Sequence, residues 1–281
     1  MCLLVVVSRL DRDTPLVVGA NRDERLDRPA VPATVLHDAA PRILGGRDEE
    51  AGGTWLAVNE HGVVAGLTNR PAPEGRDPAR RSRGELPLAL AMHRDAAAAV
   101  DDFVTHFNPA DYNPAWLLVG DRTSLFALDM TAGSRPVAEA LGPGVHILEN
   151  NPLHEPSPKA DNVRTLLGTA SRNGGDPVTV LRSVLLDHSI PVPDEDAGPA
   201  GIRQDSGDTI DAAVRSEEPP TRPVETLAAC VHTEKYGTRS STIVRVRAEE
   251  AELPDVLVAD GHPCTAPFAD VGILWTEDRS G

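Results

Sequence analysis

Apolar residues come first in short runs and only later at helical spacing, so strands precede helices along this chain. Leu3 to Ser8 and Leu16 to Ala20 flank the polar turn Asp11-Arg12-Asp13-Thr14, a predicted hairpin that carries Cys2 at its outer end. A second predicted hairpin joins Thr54 to Val58 with Val63 to Thr68 across Asn59-Glu60-His61-Gly62, whose glycine suits a positive φ. Helical spacing runs from Gly84 to Phe107, with a start suggested at Pro87 and a second cap at Asp95. Trp116 to Val119, Leu125 to Met130 and Gly144 to Leu148 read as strands, and Ala160 to Thr169 and Pro177 to Asp187 as helices. Val224 to Val231, Ser241 to Val246 and Val271 to Trp275 are the last predicted strands. Strands, helices, strands, helices and strands again predict an α+β layered sandwich and not a doubly wound sheet.

One segment breaks the pattern. Ile190 to Pro223 is crowded with Pro, Gly, Asp and Glu and has almost no apolar periodicity, so it is expected to be a long mobile loop, disordered or serving as a substrate lid. The remainder is long enough to bury a substantial core, and a single domain over residues 1–281 is expected.

Composition narrows the functional classes. A net charge of −16 argues against a nucleic-acid or anionic-membrane partner. The cations are almost all arginine, with Lys159 and Lys235 the two lysines. Cys2, Cys230 and Cys264 are widely spaced, with no paired framework and no CxxC spacing, which fits a reducing compartment and a cytoplasmic protein. The opening apolar run is far shorter than the roughly 18 residues a membrane span needs. No metal site is expected: Glu49-Glu50, Asp101-Asp102 and Glu249-Glu250 read as solvated surface, His37, His61, His93 and His232 as surface or turn residues, and Cys230 as packing within a strand. The oligomeric state is left open by the sequence.

The candidate chemistry starts at Cys2. If Met1 is removed, the thiol becomes part of the first residue, and its own α-amine can serve as general base. The adjacent ammonium is expected to lower the thiol pKa. Asn21-Arg22-Asp23-Glu24 ends the second strand, and hairpin pairing sets that end beside Cys2, where Asp23 can hold the amine. Small residues in Gly52-Gly53-Thr54-Trp55 are expected to let backbone approach a ligand. Thr68-Asn69 and Asn150-Asn151 end later strands with neutral donors suited to an oxyanion, and Arg239 offers a cation before another strand.

Ala20-Asn21-Arg22-Asp23-Glu24-Arg25 with Arg28-Pro29-Ala30, then Gly45-Gly46-Arg47-Asp48, Ala51 to Leu56, Ala65 to Asn69 and Tyr236 to Ser240, resembles in order the signature of the NRDE family, also called the transport and Golgi organisation protein 2 family. The stretch Asn151 to Lys159 lacks a tryptophan expected before its Pro-Lys end. The family in turn resembles N-terminal nucleophile hydrolases of the penicillin V acylase and bile salt hydrolase group. That resemblance implies a four-layer αββα sandwich with Cys2 as nucleophile, Asp23 at the free amine, Asn150 as oxyanion donor and Arg239 near the nucleophile. Asn21, Arg22, Thr68 and Asn69 are the implied substrate contacts, with Thr68 where the hydrolases carry a second oxyanion asparagine and Ala20 where they carry an arginine. Two functions follow from the resemblance: a cysteine amidohydrolase acting on a small N-acyl or amide substrate without a cofactor, or a non-catalytic factor that binds and traffics haem.

Overall fold

The computed structural model describes residues 2–71, 75–131, 133–172, 175–191 and 223–276. Most of the expected acidic loop, residues 192–222, lies outside the described residues, and with it the question of a lid. The strands are β1 (Cys2–Ser8), β2 (Leu16–Arg25), β3 (Ala30–His37), β4 (Ile43–Asp48), β5 (Leu56–Asn59), β6 (Val64–Asn69), β7 (Ala115–Gly120), β8 (Leu125–Asp129), β9 (Val137–Ala140), β10 (Gly144–Leu148), β11 (Tyr236–Val246), β12 (Asp255–Asp260) and β13 (Ala269–Asp270). Four helices accompany them: α1 (Glu85–Ala91), α2 (Ala96–His106), α3 (Pro158–Arg172) and α4 (Pro177–Leu185).

Two antiparallel sheets result, ordered β10-β1-β2-β11-β12-β13 and β3-β4-β5-β6-β7-β8-β9. Alternation along each central strand explains how they stack. In β1, Leu4 and Val6 join the core between the sheets, while Leu3 and Val5 pack under α3 and α4. In β6 and β7, Val64, Trp116 and Leu118 face the same inter-sheet core, while Ala65, Leu67, Leu117 and Val119 pack under α1 and α2. A strand covered on both sides must be apolar at successive positions, which is why Leu3-Leu4-Val5-Val6 reads as an unbroken run. The layers therefore run helix, sheet, sheet, helix, the αββα sandwich that was expected.

The helices form for local reasons. Asp95 caps α2 by accepting a hydrogen bond from Ala98 N–H, and Ala96, Ala99, Val100 and Phe103 bury one face at the expected spacing. Asp176 caps α4 in the same manner, with Pro177 in its first turn. In the second hairpin Gly62 has φ +87°, the conformation its turn requires.

Three expectations change. Val224 to Val231 is not a strand: a 3-10 turn over Val224–Leu227 leads into bends, because the segment's carbonyls are taken by side chains of the neighbouring layers. Val271 to Trp275 is not a strand either, since Gly272–Trp275 turns to bury Trp275 between the sheets with its indole N–H on the Pro254 carbonyl. Five strands that the pattern missed include β3, a bulged edge strand holding Pro32, and β4, which carries two glycines. Among the described residues no helix is long and apolar enough to cross a membrane.

Leu118 is 3% exposed at the centre of the inter-sheet core. Leu118→Ala is expected to cost about 3 kcal/mol, measured as the shift in urea unfolding, and a loss below about 1 kcal/mol would mean that the two sheets do not share this core.

Candidate active site

The site lies where β1, β2 and β11 end. Cys2 pairs with Arg22 and Thr238 pairs with Asp23, so the start of the chain, the end of β2 and the start of β11 are adjacent. Directly opposed residues share a face, which puts Arg22 on the inter-sheet side with Cys2 and sends Asn21 and Asp23 toward the helices. Four consecutive polar residues thus do two different jobs.

On the helix side, Asn21 is structural. Its amide donates to the Leu185 and Ala229 carbonyls, at 3.0 and 2.8 Å, and its carbonyl accepts from the Ser241 hydroxyl. Every polar atom of that side chain is spent on holding α4 and the 228–230 segment to the sheet, so Asn21 is no substrate contact. Asp23 is buried beside it. Its carboxylate accepts from the Thr238 hydroxyl at 2.6 Å and lies 3.3 Å from the ammonium of Lys159, itself 1% exposed on α3. The Tyr236 hydroxyl donates to the Asp23 carbonyl at 2.7 Å.

On the inter-sheet side, Cys2 and Arg22 open onto a cavity of about 840 Å³ including its mouth. Arg22 is 4% exposed and held from two directions: one terminal nitrogen, Nη2, donates to Asp48 at 2.6 Å, and the guanidinium lies 4.5 Å from the Trp55 ring centre. Its other terminal nitrogen, Nη1, is buried with no hydrogen-bond partner among the described residues. Asp48 also accepts from Arg28 at 2.6 Å and from the Glu50 and Ala51 N–H groups. Burial pushes the Asp48 carboxyl up, but the Arg28 hydrogen bond, the Ala51 N–H and the charges of Arg28 and Arg22 outweigh it and hold the group below the usual carboxylate range.

The glycines of the second motif make room for this arrangement. A Cβ on Gly46 would fall 2.0 Å from the Trp55 ring, so only glycine lets that indole lie against β4. Gly53 acts differently from the expectation that it would admit a ligand. A Cβ there would meet the Gly84 backbone at 2.5 Å, and Thr54 N–H donates to the Gly84 carbonyl at 2.9 Å. This close approach seats Arg81, Ser82 and Arg83 on the cavity wall. Burial, reinforced by the charge of Arg76, pulls the Arg83 guanidinium down to about 10.

The remaining expected residues fall around the cavity with unequal roles. Asn69 lines it. Thr68 is fully buried behind it, its hydroxyl without a partner, and is not part of the lining. Asn150 stands at the end of β10, the strand paired with β1, but its amide donates to the Asn69 carbonyl and ties the two sheets together. It lines a neighbouring hollow with Glu149 and Ser157 instead. Arg239 is excluded as well: a register shift between Thr238 and Ser240 turns it outward, and its guanidinium holds the carbonyls of Arg25, Leu26 and Arg28. Sequence reasoning gave no role to Lys159, Asp48, Arg28, Trp55 or Arg83. Arg80-Arg81-Ser82-Arg83 directly before a helix was the available signal for the cationic wall.

The Cys2 thiol has its pKa raised. Burial is the largest cause, and Asp23 adds to it, while the positive amino terminus, Arg22 and the Asp23 backbone N–H pull the other way. This holds for the chain with Met1 in place; the lowered value expected for Cys2 as first residue, with its own ammonium beside the thiol, concerns the processed chain.

Comparison with known proteins matches residues 1–253 to the family described as Transport and Golgi organisation 2. The mouse protein named Transport and Golgi organization 2 homolog is 30% identical over 244 residues, covering 83% of this chain and 82% of its own. Among solved structures, a Caenorhabditis elegans N-acylethanolamine-hydrolyzing acid amidase ortholog superposes with a TM-score of 0.47 at 12% identity, over 69% of this chain and 88% of that one. Penicillin V acylase from Agrobacterium tumefaciens gives 0.45 at 13% identity, over 92% of this chain and 83% of that one.

Two outcomes test the site. Because the folded-state value of Asp48 is depressed, its stabilisation is present above about pH 4 and is lost as pH falls through that lower value. Asp48→Asn should therefore cost about 2 kcal/mol in urea unfolding at pH 7 and much less at pH 3; equal losses at both would exclude the ionic role. In the chain that retains Met1, iodoacetamide labelling of Cys2 followed by mass spectrometry should rise about tenfold per pH unit up to pH 9 or beyond. A plateau below pH 8 would contradict a thiol held above its usual range by its surroundings.

Proposed function

The chain belongs to the Transport and Golgi organisation 2 family, and from that premise we propose that it is an N-terminal cysteine amidohydrolase whose substrate is a small amide carrying a negative charge. The observation that carries this reading is the pairing of Cys2 with an immobilised Arg22 that keeps one buried N–H group free.

Removal of Met1 leaves the Cys2 α-amine at the head of β1, adjacent to Asp23. The neutral amine accepts the thiol proton as sulfur attacks the amide carbonyl, forming the C–S bond and a tetrahedral oxyanion. Arg22 Nη1 and backbone N–H groups serve as its donors, in place of Asn150, whose amide is engaged by Asn69. Collapse breaks the C–N bond, and the α-ammonium passes its proton to the leaving amine. Water, deprotonated by the same amine, then cleaves the thioester, releasing the acid and the thiol. Asp23, fixed by Thr238 and Lys159, positions the amine.

Charge argues for the substrate class. Five arginines and three carboxylates line the cavity in a chain whose net charge is −16, so the field there is opposite to that of the whole protein. A carboxylate on an N-acyl amino acid matches guanidinium groups in charge and shape. The haem-carrier alternative asks for an apolar slot around a macrocycle, whereas the large apolar side chains of this lining are Trp55 and Leu67. A small anion suits it better.

Intact-mass measurement should show loss of Met1, and the purified protein should release acid from a panel of N-acyl amino acids. Cys2→Ala is expected to lower that rate roughly a thousandfold or more while leaving the fold intact. Arg22→Gln should cost about 10- to 100-fold in kcat/KM for the charged substrates and less for neutral amides. Undiminished turnover in Cys2→Ala, or full activity in protein that keeps Met1, would remove the mechanism.

A further inference from the structure

Cys230 and Cys264 are 34 positions apart in sequence, yet the fold brings them together with two histidines on the helix side of the six-stranded sheet. His188 follows α4, Cys230 and His232 precede β11, and Cys264 follows β12. One donor atom from each of these four residues lies within 4.8 Å of all the others. His232 Nε2 is 3.6 Å from the Cys230 sulfur and 3.3 Å from the Cys264 sulfur. Donors around a tetrahedral zinc ion with bonds of about 2.0 to 2.3 Å stand roughly 3.3 to 3.8 Å apart. The cluster is thus nearly contracted to coordination size. None of the four lines the Cys2 cavity.

The surroundings point the same way. His188 Nδ1 sits 3.1 Å from the Cys230 carbonyl, which anchors its ring to the segment bearing two of the other donors. The His262 ring stacks on His232 with centroids 3.8 Å apart, and its buried Nδ1 has no hydrogen-bond partner among the described residues. An imidazole in that position is placed to accept a hydrogen bond at the edge of a coordination sphere or to compete for a coordination position. The cluster is partly open, with Cys230 buried and His188 and His232 exposed, so an ion can enter.

From this geometry we propose that His188, Cys230, His232 and Cys264 form a structural zinc site. Two thiolates and two imidazoles in a closed tetrahedron select zinc over hard cations such as magnesium or calcium. Binding releases the two thiol protons to solvent as the zinc–sulfur bonds form, with no change of oxidation state. The site ties three separate segments to one point. Its effect reaches the Cys2 region through Val231, flanked by two of the ligands, whose N–H donates to the Thr238 hydroxyl at 2.9 Å; that hydroxyl in turn donates to Asp23.

The test uses the whole chain purified under reducing conditions, with metal content measured by plasma mass spectrometry and with Co²⁺ as a spectroscopic probe after chelation. About one zinc per chain is expected, and Co²⁺ alone should give a thiolate charge-transfer band and the intense visible bands of a tetrahedral site. Zn²⁺ should erase both. Cys264→Ser and His188→Ala, at ligands that are not buried, should each weaken zinc binding more than about tenfold. Cys230→Ala is buried and can fail for reasons of folding, so the Co²⁺ spectrum of the unmodified chain decides. Absence of stoichiometric zinc together with an octahedral or empty Co²⁺ spectrum overturns the site. So does a Cys230–Cys264 disulfide that persists in the protein as isolated from a reducing cytoplasm, seen as the loss of two titratable thiols. Because amide hydrolysis is not a readout, these results are independent of the fate of the Cys2 mechanism.

Discussion

The buried carboxylate of Asp23 is the constraint from which most of this architecture follows. A charge at 3% exposure is tolerated only if every neighbouring layer answers it, and here each does: β11 supplies the Thr238 hydroxyl, α3 supplies the Lys159 ammonium, and the Tyr236 hydroxyl holds the backbone of Asp23 itself. Breaking any one of these contacts leaves a charged or polar group stranded in the helix–sheet layer. The pair therefore fixes the register between β2 and β11, which apolar packing alone would hold less firmly. It also fixes the level at which the chain begins, because Cys2 and Asp23 are neighbours across the same ladder.

The motif Asn21-Arg22-Asp23-Glu24 gains meaning from alternation. Period two sends Asn21 and Asp23 into the helix layer and Arg22 into the inter-sheet cavity, so a single strand end both locks the scaffold and equips the cavity. Gly45-Gly46-Arg47-Asp48 and Gly52-Gly53-Thr54-Trp55 serve the same end from the opposite sheet. They leave space for Trp55 under Arg22, and bring Asp48 to its guanidinium. Electrostatics and packing are coupled at this point: without the indole beneath it and the carboxylate beside it, the arginine would be free to turn away from the thiol.

This explains what the sequence could and could not disclose. Both hairpins, all four helices, an α+β sandwich and the closeness of Cys2 to Asn21–Glu24 follow from periodicity, turn residues and caps, which are local properties; the four-layer order was implied only by the family resemblance. Arg239 and Asn150 were expected at the thiol, yet their observed contacts are set by tertiary detail. A bulge in β11 turns Arg239 onto three carbonyls, and a cross-sheet bond engages the Asn150 amide. Lys159 was legible only as one of two lysines, and nothing local says that it reaches Asp23 across two layers. The strand expected at 224–231 failed for a related reason: Asn21 and Lys159 take the carbonyls that a sheet partner would have used. Cys230 and Cys264 looked unrelated because their meeting depends on loops contributed by three elements.

Desolvation at Cys2 makes the amine mechanism more coherent, not less. Burial disfavours the charged form of the thiol and is the largest of the causes that raise its pKa in the chain with Met1 in place. The mechanism proposed above starts from a neutral thiol and a neutral amine, the state from which a proton can pass from sulfur to nitrogen as the carbonyl is attacked. On that proposal charge would appear only during the reaction, beside groups already in place: Asp23, held by Thr238, on the amine side, and Arg22 with its unpartnered Nη1 on the carbonyl side. A solvated thiolate–ammonium pair would instead have to shed its water before bond formation, and the fixed groups around it would stabilise the resting state as much as the transition state. A half-buried Cys2 whose thiol is held above its usual pKa is thus the form on which the proposed mechanism relies.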